Sequence, residues 1–197
     1  KEDAKEFCGE FRLENIIKRY SNYLPFEVKI KDKVLNQVKA LWTQSKRDLS
    51  EEDYQSFYKQ FCHDHEDPEH HLHFSIDAPI QYHALIYFPK NISNEVLYAR
   101  ESHGVALYAQ KILIQQDNEH LLPPYMRFVR GLIDSEDLPL NVSRENVQKN
   151  VLIERIKKSL TSRILKELEK IGESQPELYK NIWKNNGTNK GKTNGKN

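Results

Sequence analysis

The sequence predicts an α/β sandwich that is followed by a short helical appendix. Two stretches rich in strand-forming residues, HLHFSID (71–77) and IQYHALIYF (80–88), contain the two-residue alternation of β-strands. In the C-terminal quarter, apolar residues recur every three or four positions and predict a long amphipathic helix over 150–172. Those residues are Ile153, Ile156, Leu160, Ile164, Leu168 and Ile171. Strands that alternate with helices favour a sheet covered by helices.

The N-terminal third is predicted to contain a helix, a strand and a second helix. Apolar residues at helical spacing predict an amphipathic helix over 8–21. After Pro25, the segment FEVKI (26–30) alternates as a half-buried strand does. Ser50 followed by Asp53 is the pattern of a capped helix start. One face of that helix carries Tyr54, Phe57, Tyr58 and Phe61.

The remaining elements follow from shorter patterns. The strands 71–77 and 80–88 flank Ala78-Pro79 and are expected to pair, and a short helix is expected over 94–100. Val105 to Ile114 is predicted to be one strand, and Tyr125 to Ile133 a weaker one after two prolines. Pro176 is expected to start a short helix that runs through Trp183.

Composition argues against several functions. With 30 basic and 29 acidic residues the chain carries no sign of a nucleic-acid footprint, so no nucleic-acid partner is expected. No apolar stretch approaches the roughly 18 residues of a membrane span, so no membrane partner is expected. Cys8 and Cys62 are too few for a disulfide framework, which favours a reducing, cytoplasmic location.

One arginine stands at a predicted helix start. Pro139 keeps a helix from beginning before about residue 141, and Ser143 is a good N-cap for a helix that carries Arg144 in its first turn. Backbone N–H groups at a helix start, together with a guanidinium, can bind phosphate oxygens. The alternative is that Arg144 pairs with Glu145 or Asp137, or faces water.

Four segments, taken in order, resemble the middle domain of the heat-shock protein 90 chaperones, most closely their bacterial branch. The most specific is FVRGLIDSEDLPLNVSRE (128–145). The others are FRLENIIKRYSNYLPFEVKI (11–30), ALWTQSKRDLSEEDYQSFYKQF (40–61) and VALYAQKILI (105–114). The resemblance covers about residues 6 to 184.

The resemblance implies a layered α-β-α sandwich with a mixed sheet, similar to domain 2 of ribosomal protein S5. The sandwich is predicted at 1–149 and the helical appendix, from the apolar repeat and Pro176, at 150–184; the Asn-, Gly- and Lys-rich segment 185–197 is expected to be a disordered tail. The resemblance also implies that this chain is a piece of a longer protein, with a nucleotide-binding N-terminal domain and a C-terminal domain that forms a homodimer.

The resemblance implies a part in ATP hydrolysis. ATP and Mg²⁺ would be bound mainly by the N-terminal domain, while Arg144 contacts the γ-phosphate. Gln148, one helical turn further on, and Asn141 match the family residues beside that arginine. The intact protein is therefore expected to be an ATPase, and this chain alone to be inactive. The alternative is a non-catalytic module that binds clients or a cochaperone.

Two further groups of residues are candidates for binding. The resemblance implies that unfolded or partly folded client proteins contact Trp42 and an amphipathic loop with Ile92, Val96, Leu97 and Tyr98. The alternative is that Trp42 belongs to the core. The five histidines between residues 63 and 73 suggest a zinc enzyme, but they are spread across a helix end and a loop and no cysteine joins them, which favours a solvated loop without metal.

Overall fold

The computed structural model describes residues 9–91, 104–140 and 151–186. Within these ranges the helices are α1 (Glu10–Tyr20), α2 (Glu51–Cys62), α3 (Val151–Ser174) and α4 (Pro176–Asn186). The strands are β1 (Lys29–Ile30), β2 (Lys33–Val34), β3 (His70–Ile76), β4 (Tyr82–Phe88), β5 (Val105–Ala109), β6 (Ile112–Asn118) and β7 (Arg130–Ser135). Short 3₁₀ turns are formed by Leu41–Thr43, Lys46–Asp48 and Pro124–Met126. The helix predicted over 94–100 lies outside the described residues.

Five of the described strands form one mixed sheet in the order β3-β4-β7-β5-β6. β3 and β4 pair antiparallel, as do β4 and β7, and β5 and β6. β5 and β7 are parallel, which makes the sheet mixed. β7 therefore lies at the centre, although it is the last strand along the described chain. β1 and β2 form a separate two-stranded hairpin.

Both faces of this sheet are buried, because alternate residues of each central strand point to opposite sides. The first face carries Ala84, Ile86, Phe88, Val105, Leu107, Ala109 and Ile133. The second face carries Leu85, Tyr87, Ala106, Tyr108 and Leu132. Helix α3 covers the first face, and helix α2 together with the segment around Trp42 covers the second. The predicted layered α/β fold with a mixed sheet is confirmed.

The long helix α3 packs against the sheet along its whole apolar stripe. Ile156, Leu160 and Ile164 are fully buried there, and Ile182 of α4 belongs to the same hydrophobic cluster. The predicted apolar repeat is thus confirmed as the stripe that faces the core. The boundary placed at residue 150 stays a prediction, but in packing terms α3 is one layer of the sandwich.

Helix α2 begins where the sequence pattern places it. The Ser50 hydroxyl accepts a hydrogen bond from the Asp53 N–H at 3.3 Å, and the Asp53 carboxylate accepts one from the Ser50 N–H at 2.8 Å. This reciprocal pair is the capping box predicted from the two residues. It fixes the direction in which the aromatic face of α2 meets the sheet.

The prediction of a single strand from Val105 to Ile114 is wrong. The chain turns at Gln110 and Lys111, whose φ angles of 51° and 67° are both left-handed, and returns as β6. Such two-residue turns usually contain Asn or Gly, so the sequence gives little sign of this one. FEVKI is likewise shorter than predicted, because only Lys29–Ile30 of it forms a strand.

Candidate functional site

The three residues predicted to act in ATP hydrolysis, Asn141, Arg144 and Gln148, lie outside the described residues. Their roles therefore stay predictions. The structure does describe the strand that leads to them, β7, and the segment that follows it as far as Leu140. The position of the end of β7 determines where in the fold the segment that contains Arg144 begins.

Strand β7 lies very close to β4 at Gly131. A Cβ atom at this position would lie 2.1 Å from the Leu85 carbonyl oxygen, and the φ angle of Gly131 is +127°. Both the contact and the backbone conformation exclude any larger residue without a shift of the strand. Gly131 therefore allows β7 to pack this closely against β4 in the middle of the sheet.

The carboxylate of Asp134 ties the end of β7 to two other parts of the fold. Asp134 is 2% exposed. Its Oδ2 accepts a hydrogen bond from the indole Nε1–H of Trp42 at 2.8 Å. Its Oδ1 accepts one from the backbone N–H of Lys111 in the β5–β6 turn at 3.1 Å. Each carboxylate oxygen thus has a donor, as a buried carboxylate requires.

The residues after Asp134 are held from a third direction, by the loop between β3 and β4. The Ser135 hydroxyl donates to the Gln81 carbonyl at 2.7 Å, and the Asp137 carboxylate accepts from the Gln81 N–H at 2.7 Å. The Gln110 N–H donates to the Ser135 carbonyl at 3.3 Å. Leu138 is then buried in the core. The chain is therefore fixed as far as Leu138.

Trp42 lies in the interior and is 0% exposed, so the expectation that it is an exposed client contact is wrong. Its ring packs edge-to-face against Tyr23 at 4.6 Å and lies 5.3 Å from Tyr108 and 6.1 Å from Phe57. A buried indole needs an acceptor for its N–H, and Asp134 supplies it. The alternative stated from the sequence, a core tryptophan, describes its position.

The other predicted client residues, Ile92, Val96, Leu97 and Tyr98, lie outside the described residues. Asn91 and Gly104, which flank that segment, both line a groove of about 1150 Å³ between the ends of α1 and α2. The groove also contains Cys62, and burial raises the pKa of this thiol to about 12. Cys62 is therefore a protonated, unreactive thiol at neutral pH.

Three of the histidines lie on strand β3, which corrects the expectation of a solvated loop for them. His70 Nε2 lies 3.4 Å from Glu167 on α3, and His71 Nδ1 lies 3.4 Å from Glu51 on α2. Among the residues that the structure describes, no group of three or more His, Cys, Asp or Glu side chains is placed to hold a metal ion.

His73 joins α2 to the Trp42 segment, and its burial lowers its pKa and so favours the neutral ring. Its Nε2 lies 2.9 Å from the Trp42 carbonyl, which can only accept, so Nε2 carries the hydrogen. Its Nδ1 lies 2.8 Å from the Tyr54 hydroxyl and is left to accept. Burial lowers the pKa of His70, His71 and His73.

The free energy of unfolding is expected to fall as the pH is lowered below about 6.5. Below that pH the unfolded chain binds protons at His70, His71 and His73 more readily than the folded chain, in which their pKa values are lowered. The slope is about 1.4 kcal/mol per pH unit for each histidine protonated only in the unfolded chain. Urea unfolding at pH 7.5 and 5.5 measures it. His73→Gln should reduce the slope, and a slope equal to that of the unaltered chain contradicts this account.

Sequence reasoning missed Asp134 and His73 as organising residues. Each is a buried polar residue that interrupts apolar ones: Asp134 follows Leu132 and Ile133, and His73 stands between Leu72 and Phe74. A polar residue on a buried strand face needs a partner from elsewhere in the fold, and that interruption was the available signal. The partner itself, Trp42 in both cases, is far away in sequence.

Comparison with known proteins identifies the family to which this chain belongs. The family model described as Hsp90 protein matches residues 27–191. The chain therefore belongs to the Hsp90 family. The described part of the chain contains no helix long and apolar enough to cross a membrane.

Similar curated proteins are bacterial and carry the name Chaperone protein HtpG. Those of Desulfitobacterium hafniense and Desulfotalea psychrophila are 42% and 41% identical over 183 residues, which is 93% of this chain. That of Chlorobaculum tepidum is 40% identical over 191 residues, or 95% of this chain. The chain spans only about 30% of the length of these relatives.

Proposed function

We propose that this chain is the middle segment of an ATP-dependent molecular chaperone and that it supplies Arg144 to an ATP molecule bound by another domain. The observation that carries the proposal is the segment 128–145, in which a strand fixed at the centre of the sheet leads directly into the arginine sequence. Membership of the Hsp90 family supports it.

The chemistry required of the chain is electrostatic. During phosphoryl transfer, negative charge is spread over the equatorial oxygens of the γ-phosphoryl group, and a guanidinium directed at them stabilises the transition state. Asn141 and Gln148 would accompany Arg144 at that site. A rigid support is needed, because the benefit depends on placing the cation accurately.

ATP and Mg²⁺ would be bound mainly by the N-terminal domain. The chain contains no G-x-x-x-x-G-K-S/T sequence with which to surround a triphosphate, and its described residues hold the strand end through carboxylates and carbonyls, which repel phosphate. The chain's own contribution is therefore one arginine segment. Alone it should hydrolyse no ATP.

The second candidate function is a binding module for non-native clients or a cochaperone. The observation that favours it is the groove between α1 and α2, which Asn91 and Gly104 line on either side of the predicted amphipathic segment. Ile92, Val96, Leu97 and Tyr98 remain the proposed client contacts, and Trp42 does not, because it is buried. Both functions suit a cytoplasmic protein that dimerises through a C-terminal domain.

Mixing this chain with a separately produced N-terminal domain of a relative tests the first function against the second. ATP hydrolysis should rise above that of the N-terminal domain alone, and Arg144→Ala should abolish the rise. Arg155→Ala, which removes an exposed arginine from α3, is the control and should preserve it. Suppression of client aggregation with no rise in hydrolysis would instead support the binding module.

A further inference from the structure

The hydrogen bonds around Asp134 converge on the strand end that leads to Arg144. The carboxylate receives Trp42 from one side of the fold and the β5–β6 turn from another. Trp42 belongs to the cluster on the face of the sheet opposite α3, and each carboxylate oxygen of Asp134 accepts one N–H. An apolar residue at position 134 would leave the Trp42 and Lys111 N–H groups without this acceptor, so the carboxylate is what joins these two segments to β7.

Hydrogen bonds through His73 connect Trp42 to helix α2. The Trp42 carbonyl accepts from His73, and His73 in turn accepts from the Tyr54 hydroxyl of α2. A continuous set of hydrogen bonds therefore runs from α2 through His73 and Trp42 to Asp134. Arg144 is ten positions beyond Asp134 and six beyond Leu138, which is the last buried residue of the described stretch 104–140.

We propose that Asp134 is a positioning residue for ATP hydrolysis: by bonding Trp42 and the Lys111 N–H, it fixes the end of β7 from which the arginine segment starts. This inference rests on the proposed function. In this proposal Trp42 supports the arginine segment from the interior of the fold, a role that is compatible with its burial. Direct contact with clients is not required of it.

Asp134→Asn in the intact protein, with its nucleotide-binding domain in place, tests the proposal. An asparagine has the same shape but carries an NH₂ group in place of one oxygen, so it faces one of the two N–H donors with a donor of its own. We expect kcat for ATP hydrolysis to fall about tenfold, since a misplacement of about 1 Å can cost about 100-fold. KM for ATP should stay unchanged, because another domain binds the nucleotide.

A loss of rate through general destabilisation is distinguished by a double mutant. If Asp134 acts through Arg144, then Asp134→Asn with Arg144→Ala should be no slower than Arg144→Ala alone. Tyr58→Phe is the matched control, because it removes the hydrogen bond from the Tyr58 hydroxyl to Asp64 in the same hydrophobic cluster and leaves the partners of Asp134 unchanged. Its kcat should equal that of the unaltered protein.

Trp42→Phe provides a second route should Asp134→Asn unfold at the assay temperature. It keeps an aromatic ring but removes the five-membered ring of the indole together with the N–H that Asp134 accepts, so it should also lower kcat without changing KM. Normal kcat in Trp42→Phe or Asp134→Asn, or an effect that multiplies with that of Arg144→Ala, overturns the inference. If Arg144→Ala itself hydrolyses ATP normally, it is the proposed function that fails.

Discussion

Arg144→Ala in the intact protein is expected to slow ATP hydrolysis by roughly 100-fold or more while nucleotide binding persists. An arginine supplied by another domain contributes about 10³ to 10⁵ in rate in GTPases. Its guanidinium matters at the transition state, when charge accumulates on the γ-phosphoryl oxygens, and much less in the bound ground state. The loss should therefore be in kcat, with the dissociation constant for ATP little changed.

Steady-state hydrolysis and direct nucleotide binding, measured on the same preparations, separate these two quantities. Arg144→Lys keeps the charge but not the planar set of donors, and it should recover only a small part of the rate. Arg155→Ala, an exposed arginine of the following helix, should behave as the unaltered protein. Hydrolysis at the normal rate by Arg144→Ala would leave the chain with the binding function alone.

Patterns that repeat along the chain predicted most of the fold. The apolar stripe from Ile153 to Ile171 and the capping box at Ser50 both depend on neighbours within a few residues, and both are present in the structure. Such signals are local, so composition and spacing are enough to find them. The alternation in β4 was also visible, and it predicted a strand.

What the sequence did not predict depends on contacts between distant residues. The turn at Gln110 and Lys111 has left-handed backbone angles without the residues that favour them, and it is held by Asp134 and Ser135 of another strand. The mixed order of the sheet, with β7 inserted between β4 and β5, also has no local signal. The family resemblance implied only that the sheet is mixed and gave no strand order.

The position of Trp42 shows that the role of a candidate residue depends on the side chains that surround it in the fold. A tryptophan offers a large apolar area for client binding and an equally large one for a core, so residue type alone does not decide between them. The deciding partner, Asp134, is 92 positions away. The ring contacts with Tyr23, Phe57 and Tyr108 likewise come from three different segments.

Trp42→Ala is therefore expected to destabilise the chain by about 3–5 kcal/mol, the usual cost of truncating a large buried aromatic side chain to alanine. The variant leaves a cavity among Tyr23, Phe57 and Tyr108 and removes a donor from the buried Asp134 carboxylate. Urea unfolding followed by circular dichroism measures the change. Trp183→Ala is the matched control, because Trp183 is 46% exposed and its loss should cost less than about 1 kcal/mol.

Suppression of client aggregation by the same variants decides whether Trp42 acts directly on clients. Under conditions in which each variant remains folded, Trp42→Phe should suppress aggregation as well as the unaltered chain does, because a buried ring offers clients no surface. Trp42→Ala should lose the activity only in the range of temperature or urea where it unfolds. Unchanged stability in Trp42→Ala together with lost suppression would mean that the ring does contact clients. In that case the Trp42–Asp134 hydrogen bond would have to break when a client binds, since the indole N–H and the ring leave the core together.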